Sequence, residues 1–331
     1  MQTMTCKGKG IGLLSGGLDG ILAVKVLQEQ PLDLVAVTFT TPFFGPEGGL
    51  QAGRLAGIPT RVVDLGEVFL RMLKNPPHGY GRHMNPCIDC HGLMLREAAK
   101  IMIEEGADFL FTGEVVGQRP MSQRRAALKI VEKMSGVPGR ILRPLSAKLL
   151  EPTIVEREGL VDREKLLDIH GRGRKRQMEL AEFYGIREIP QPGGGCMLTK
   201  EGFARKLKEL FAIMPHAETI HVERLKWGRH FRLGSSCVLA VGRSKHENER
   251  LSAMAGPDDV LLRVPSHPGP TALLFGTAPR RAHVQAAAMI VAAYSDVAQG
   301  ERVEVLWIQG NTQGWIHVKN VGRTPWLHCL L

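Results

Sequence analysis

No apolar run in this sequence approaches the roughly 20 residues needed to cross a bilayer, which argues against an integral membrane protein. Segment 1–17, MQTMTCKGKGIGLLSGG, carries basic residues but neither a long apolar stretch nor a small-residue cleavage site. No export signal is therefore expected, and a cytoplasmic location is. Internal repeats and low-complexity tracts are lacking too, so a solenoid or a disordered tail is not indicated. Acidic residues are in short supply, with 33 Asp and Glu against 43 Lys and Arg, a net charge of +10. That excess points to a polyanionic partner or to a merely solvated basic surface. What is present, 44% hydrophobic and 23% charged residues over 331 positions, describes a globular protein large enough for two domains. Six cysteines in a reducing compartment do not suggest a disulfide framework, and any that cluster point to metal or catalysis.

Along the chain, residues 9–14 form a short apolar run that predicts a buried strand, broken by Ser15-Gly16-Gly17. Ile21, Val24, Lys25 and Gln28 follow at helical spacing, and Pro31 ends that helix. Residues 34–40 and 60–65 read as strands around a helix at 50–56. This βαβαβ order implies an α/β fold with a doubly wound parallel sheet. A helix over 90–105, a buried strand over 109–112, a helix over 122–134 and a strand at 141–142 continue it. Residues 163–184 read as largely helical, with Gly171 and Gly173 interrupting. Pro190, Pro192 and Gly193 to Gly195 mark the clearest loop. Beyond about residue 218 short strand-like runs at 237–241, 260–264 and 303–308 surround a helix over 281–294, an α+β composition for a second, smaller domain. The expected organisation is a nucleotide domain over 1–198, a helical connection over 199–235 and a further domain over 236–331.

Ser15, Gly16, Gly17, Leu18, Asp19 and Gly20 lie between the first strand and the first helix, where backbone amides and the positive helix end can hold a phosphate. Read blandly, the segment is a tight structural turn. Its place after the first strand of a βαβ unit favours the nucleotide. It is not a Walker loop, since no Gly-Lys-Ser or Gly-Lys-Thr follows. With its strand, the segment resembles the PP-loop ATP pyrophosphatase family, whose fingerprint is Ser-Gly-Gly-x-Asp-Ser. Gly20 stands where that family has its last serine, which removes one hydroxyl contact to pyrophosphate. The resemblance implies an adenine nucleotide alpha hydrolase-like fold that binds ATP and Mg2+, transfers AMP to a substrate oxygen and holds Asp19 near the magnesium and phosphates.

Asn85-Pro86-Cys87-Ile88-Asp89-Cys90-His91 opens a predicted helix, and Cys196 follows the glycine run. Two thiols three positions apart at a helix N-terminus can share a metal and are expected to have depressed pKa values there. A third thiol would leave one metal position open to an exogenous group. Taken alone the residues also suit a haem c attachment motif, a structural zinc site with His91, a redox dithiol without Cys196, or plain core cysteines. PP-loop tRNA thiolation enzymes, the thiouridine synthetase type, are similar here. Cys87, Cys90 and Cys196 match the cysteines with which their iron-dependent branch holds a 4Fe-4S cluster; a cluster-free branch passes a persulfide between two cysteines. The resemblance thus implies catalytic roles for Asp19, Cys87, Cys90 and Cys196, with adenylation making the uridine oxygen a leaving group for sulfur.

Thr112-Gly113-Glu114 resembles the family's adenine-side Thr-Gly segment, with Gln118, Arg119, Ser122 and Gln123 after it. Arg143-Pro144-Leu145 resembles its late Arg-Pro-Leu segment. Both are equally at home as loop packing. Residues 236–321, through Val241 to Glu249, 261–270 and 286–295, resemble the RNA-binding module of NFACT ribosome-quality-control proteins. That implies tRNA contacts, assigned to Arg243, Lys245, Arg280 and Arg281. Trp307, Trp315 and Trp326 are expected as core or turn anchors. The resulting expectation is a tRNA sulfurtransferase with tRNA and sulfide or another sulfur donor as partners, no membrane, and homodimerisation left open. The alternatives are a PP-loop amide ligase or small-molecule sulfur transferase, or a non-enzymatic RNA-binding protein with a decayed loop.

Overall fold

The computed structural model describes residues 8–189, 196–277 and 279–331. The loop expected at Pro190 to Gly195 lies outside them. Two compact units divide the chain at Met197 and Leu198. Among the described residues no helix is long and apolar enough to cross a membrane.

The first unit runs β1 (Gly8–Leu13), α1 (Leu18–Gln28), β2 (Leu32–Thr40), α2 (Glu47–Ala56), β3 (Thr60–Asp64), α3 (Gly66–Lys74), α4 (Cys87–Glu104), β4 (Phe109–Thr112), α5 (Arg125–Met134), β5 (Ile141–Leu142), α6 (Ile154–Arg157) and α7 (Lys175–Phe183). Its sheet is parallel throughout, in the order β3-β2-β1-β4-β5. Strands covered on both faces need apolar residues at nearly every position, which is why β4 reads Phe-Leu-Phe-Thr and is wholly buried. α1, α2 and α7 pack together and share one core with Phe109 and Phe111, while α4 packs between α3 and α5. α1 is buried on most of its surface, with Leu18, Ile21, Leu22, Ala23, Val24, Val26 and Leu27 inside, so sequence amphipathicity hardly marks it. In β1 the small residues are structural. A Cβ at Gly10 would come within 2.5 Å of the Phe109 ring, and one at Gly12 within 2.5 Å of the Phe111 ring.

The stretch expected as largely helical over 163–184 is helical only in α7 and one 3-10 turn, Arg163–Lys165. Between them the backbone over 166–170 is extended, because the amides of Leu167 and Ile169 donate to the carbonyls of Pro144 and Leu145, and it then bends at Gly171. Those long-range bonds override helix propensity.

The second unit holds α8 (Glu201–Ile213), α9 (Thr219–Arg224), β6 (Arg229–Leu233), β7 (Cys237–Val241), α10 (Lys245–Ala253), β8 (Val260–Arg263), β9 (Ala272–Gly276), α11 (Arg281–Tyr294), β10 (Arg302–Gln309) and β11 (Thr312–Lys319). Its antiparallel sheet has the order β11-β10-β8-β9-β7-β6, with α11 packed on one face. The segment expected as a helical connection therefore also contributes a strand, β6. Trp315 departs from the expected anchoring role: it is 54% exposed. Among the described residues β11 pairs with β10 alone, and its alternate residues point away from α11, which puts this indole outside the core.

Candidate active site

In the five-stranded sheet β1 is flanked by β2 and β4, so the connections from β1 and β4 leave toward opposite sides. The crevice between their carboxyl ends is where such sheets bind ligands. Leu13 and Thr112 are paired neighbours, and the chain leaves them as the Ser15 to Gly20 and the Gly113 to Gln118 segments. Gly16 has φ +91°, and a Cβ there would run into the Gly48 backbone at the start of α2. Gly17 caps α1, and Ser15 and Gly17 are exposed, so the loop presents amides at an open helix N-terminus. A Cβ at Gly113 would lie 2.5 Å from the Asp19 carbonyl carbon, so the two segments touch through backbone. A Cβ at Gly20 would meet only Leu14 Cδ2, at 3.0 Å. The family serine is thus missing from a position with room for it.

Asp19 Oδ2 accepts a hydrogen bond from Gln118 Nε2 at 2.6 Å, and Gln118 Oε1 accepts from Gln177 Nε2 of α7 at 3.1 Å. Asp19 Oδ1 is buried and has no partner among the described residues. A buried carboxylate oxygen left unpaired is costly, and a cation bound beside the loop would satisfy it.

Thr112, Gly113 and Glu114 continue from β4 into a buried ionic network. Glu114 accepts from Arg143 Nε at 3.0 Å and pairs with His91 Nδ1 at 2.9 Å, while Arg143 also reaches Glu132 Oε2 of α5 at 3.2 Å. Burial alone would raise the Glu114 pKa, but the charges and hydrogen bonds of Arg143 and His91 outweigh it and hold the carboxyl at about 2. Arg143 is 3% exposed, and its ion pairs with Glu114 and Glu132 anchor the β5 end. Through His91 this network fixes α4, the helix that opens with Cys87 and Cys90.

The loop before α4 is tied down by Asp89, which is buried and accepts from the His78 amide at 3.0 Å and pairs with His78 Nδ1 at 2.7 Å. Cys87 Sγ donates to Asn85 Oδ1 at 3.1 Å. Met197 donates its amide to the Phe43 carbonyl at 3.1 Å, which holds the neighbouring Cys196 near the carboxyl end of β2. The three thiols share one neighbourhood, because Cys90 responds electrostatically to both Cys196 and Cys87. The expected depression of the Cys87 and Cys90 pKa values is not found. Burial pushes Cys87 up despite Asn85 and the nearby Arg119 charge, and burial with repulsion from Cys196, Cys87 and Asp89 pushes Cys90 well up. Desolvation outweighs the helix-end field. Three thiols suit a soft metal core, whose positive charge would relieve that repulsion. As they stand, no three His, Cys, Asp or Glu side chains among the described residues form a ready metal-holding group.

In the second unit Arg243 and Lys245 stand at the start of α10, and Arg280 and Arg281 at the start of α11. Arg243 is clamped by Glu247, whose carboxylate accepts from the Arg243 amide at 2.7 Å and from Nε at 3.0 Å; these hydrogen bonds hold Glu247 at about 2. Lys245 is 92% exposed, and Arg280 and Arg281 are exposed.

The clamps His78 to Asp89 and Gln118 to Gln177 and the His91–Glu114–Arg143 network join residues far apart in sequence. Polar pairing of that kind has no period for a sequence reading to detect.

Known proteins resemble separate parts of this chain. Residues 228–324 match the NFACT protein RNA binding domain. A Thermotoga maritima protein named "Probable tRNA sulfurtransferase" is 33% identical over 150 residues, covering 42% of this chain and 37% of that protein. A Pelobacter propionicus protein named "tRNA-specific 2-thiouridylase MnmA" is 24% identical over 237 residues, covering 66% of this chain and 62% of its own length. A solved 4-thiouridine synthetase–RNA complex with bound ATP aligns at 22% identity and a TM-score of 0.37 over 63% of this chain and 51% of that one. The chain thus spans from about a third to under two thirds of these relatives. The resemblance to PP-loop thiolation enzymes and to the NFACT RNA-binding module holds, as does the parallel α/β sheet with a separate antiparallel domain.

Proposed function

We propose that this chain activates a uridine carbonyl oxygen of tRNA with ATP and replaces that oxygen with sulfur. The observation that carries the reading is the segment after β4: Gln118 holds Asp19 of the phosphate loop at 2.6 Å, while Glu114 pairs at 2.9 Å with His91 of the helix that opens with Cys87 and Cys90. Nucleotide and thiol chemistry would then share one cleft.

The Ser15 to Gly20 amides at the α1 N-terminus would hold the ATP phosphates, and Asp19, steadied by Gln118, would orient a Mg2+ ion at its unpartnered oxygen. The uridine oxygen attacks the α-phosphorus, and pyrophosphate leaves. A sulfur nucleophile from sulfide or another donor then forms a bond to the ring carbon, and AMP departs with the original oxygen. A 4Fe-4S cluster held by Cys87, Cys90 and Cys196 would supply a soft site that binds and delivers sulfide. Asp89, through His78, and Glu114, through His91, orient the helix that carries two of those thiols. Arg243, Lys245, Arg280 and Arg281 are assigned to tRNA phosphates. The domain limits 1–198 and 236–331 go with this division of labour.

The test is pyrophosphate and AMP release from ATP with and without unmodified tRNA, paired with mass spectrometry of nucleosides from the treated tRNA. Release that depends on tRNA, with new thiouridine, is expected. Release that ignores tRNA would point to a small-molecule substrate and overturn the reading.

A further inference from the structure

The exposed end of the second unit's sheet is a chemically distinctive surface that the phosphate-loop chemistry does not use. Across β8, β10 and β11 the register sets Arg263, Leu306 and Trp315 in one row, Glu304 and His317 in the next, and Arg302 and Lys319 in a third. Successive rows lie about 7 Å apart. These side chains share the face opposite α11, since Val303, Val305, Ile316 and Val318 on the intervening positions pack into the core with that helix. Toward β9 the same face is closed, with the Arg224 guanidinium of α9 lying 5.0 Å from the Phe275 ring centroid. At the β8–β10–β11 end Leu306 in the middle of the first row is buried, but the side chains around it are open: Trp315 is 54% exposed, and Arg263, Arg302 and Lys319 are exposed and form no ion pair among the described residues. The single carboxylate here, Glu304, pairs with His317 at 2.8 Å.

We propose that this face binds a single-stranded stretch of RNA, with one base stacked on Trp315 and the backbone phosphates met by Arg263, Arg302 and Lys319. Three cations against one paired carboxylate favour a polyanion over an acidic-rimmed or neutral protein partner. An exposed indole set among cations is the combination that single strands use, because every base offers a π face and every linkage a charge. A duplex, whose bases are already stacked, could use only the cations. The inference rests on the tRNA reading above for the identity of the strand. It assigns the unpaired parts of that tRNA to the sheet and leaves the helix-start arginines to its phosphates.

The experiment measures binding of a fluorescein-labelled oligo-uridylate, and of a tRNA transcript, to the full chain and its variants without ATP. Trp315→Ala should bind the oligonucleotide about 5- to 150-fold more weakly, with its melting temperature unchanged, and Trp315→Phe should recover most of the affinity. Arg302→Gln with Lys319→Gln should flatten the plot of log affinity against log salt by about 0.7 for each phosphate no longer neutralised. Equal affinity of Trp315→Ala and the unaltered chain would overturn the assignment of this face while leaving the thiolation reading intact. Competition by duplex RNA as strong as by single strands would overturn the stacking. A dimer turned to monomer by Trp315→Ala with RNA affinity unchanged would replace it by self-association. Failure of the unaltered chain to bind either RNA would remove both this face and the tRNA substrate.

Discussion

Replacing Glu114 by Gln should weaken the first unit in a way that depends on pH. The ordinary glutamate pKa of 4.5 and the folded value of about 2 differ enough to correspond to roughly 3 kcal/mol. Because the folded value is depressed, the contribution is complete above about pH 4.5. It fades as the unfolded chain takes up its proton, and it is gone once the native carboxyl protonates near 2. Integrating between those values, roughly 2 kcal/mol is lost by pH 3. At neutral pH the variant leaves Arg143 buried with only Glu132 as a charged partner, so a loss of about 3–5 kcal/mol is expected there. The stability gap between the two proteins should therefore shrink as pH falls from 7 to 3. Tryptophan emission will not report it, since Trp227, Trp307, Trp315 and Trp326 all lie in the second unit. The transition to follow is the one seen by calorimetry and far-UV circular dichroism but not by emission. A gap that stays constant from pH 7 to pH 3 would refute the claim that Glu114 is ionised and paired.

Gly113→Ala forces a methyl against the Asp19 backbone and should lower stability by about 1–3 kcal/mol; isothermal titration should show weakened ATP binding, and wild-type values in both measurements would contradict the close approach. Gly20→Ser should keep the melting temperature within a few degrees and leave AMP formation equal or faster, since only the movable end of Leu14 stands near the new side chain; a collapse of ATP binding would show that the loop cannot take a side chain there. Cys196→Ala, purified anaerobically and reconstituted with iron and sulfide, should lose most of the bound iron and acid-labile sulfide that the unaltered chain takes up. Stoichiometric zinc in the unaltered chain would refute the cluster.

The part of the fold that a sequence reading reaches most easily is the part buried on both sides. Residues 109–112 and 141–142 are apolar runs cut off by Thr-Gly and by Arg-Pro, and the strands fall on those residues. The phosphate turn is legible for the same local reason: its glycines and its place after a strand are adjacent in sequence. The stretch 163–184 is harder, because the extended run over 166–170 is set by partners at Pro144 and Leu145 and not by its own composition. β11 is hard to see in the sequence since it is an edge strand whose alternation, Gln313, Trp315, His317 and Lys319 against Ile316 and Val318, is interrupted by Gly314. The nearness of Cys196 to Cys90 across more than a hundred residues has no periodic signature, and only the resemblance to thiolation enzymes suggests it.

Gly10 and Gly12 in β1 have a consequence for how this protein can drift. The Phe109 and Phe111 rings occupy the space where side chains of β1 would stand, so the centre of the sheet is filled from the neighbouring strand. A single methyl at either glycine would have to push aside a ring that is itself fully enclosed, directly beneath the phosphate turn. Escape requires two coordinated exchanges, a larger residue on β1 together with a smaller one on β4. Random mutagenesis should accordingly leave two pairs, Gly10 with Phe109 and Gly12 with Phe111, each of which changes together or not at all.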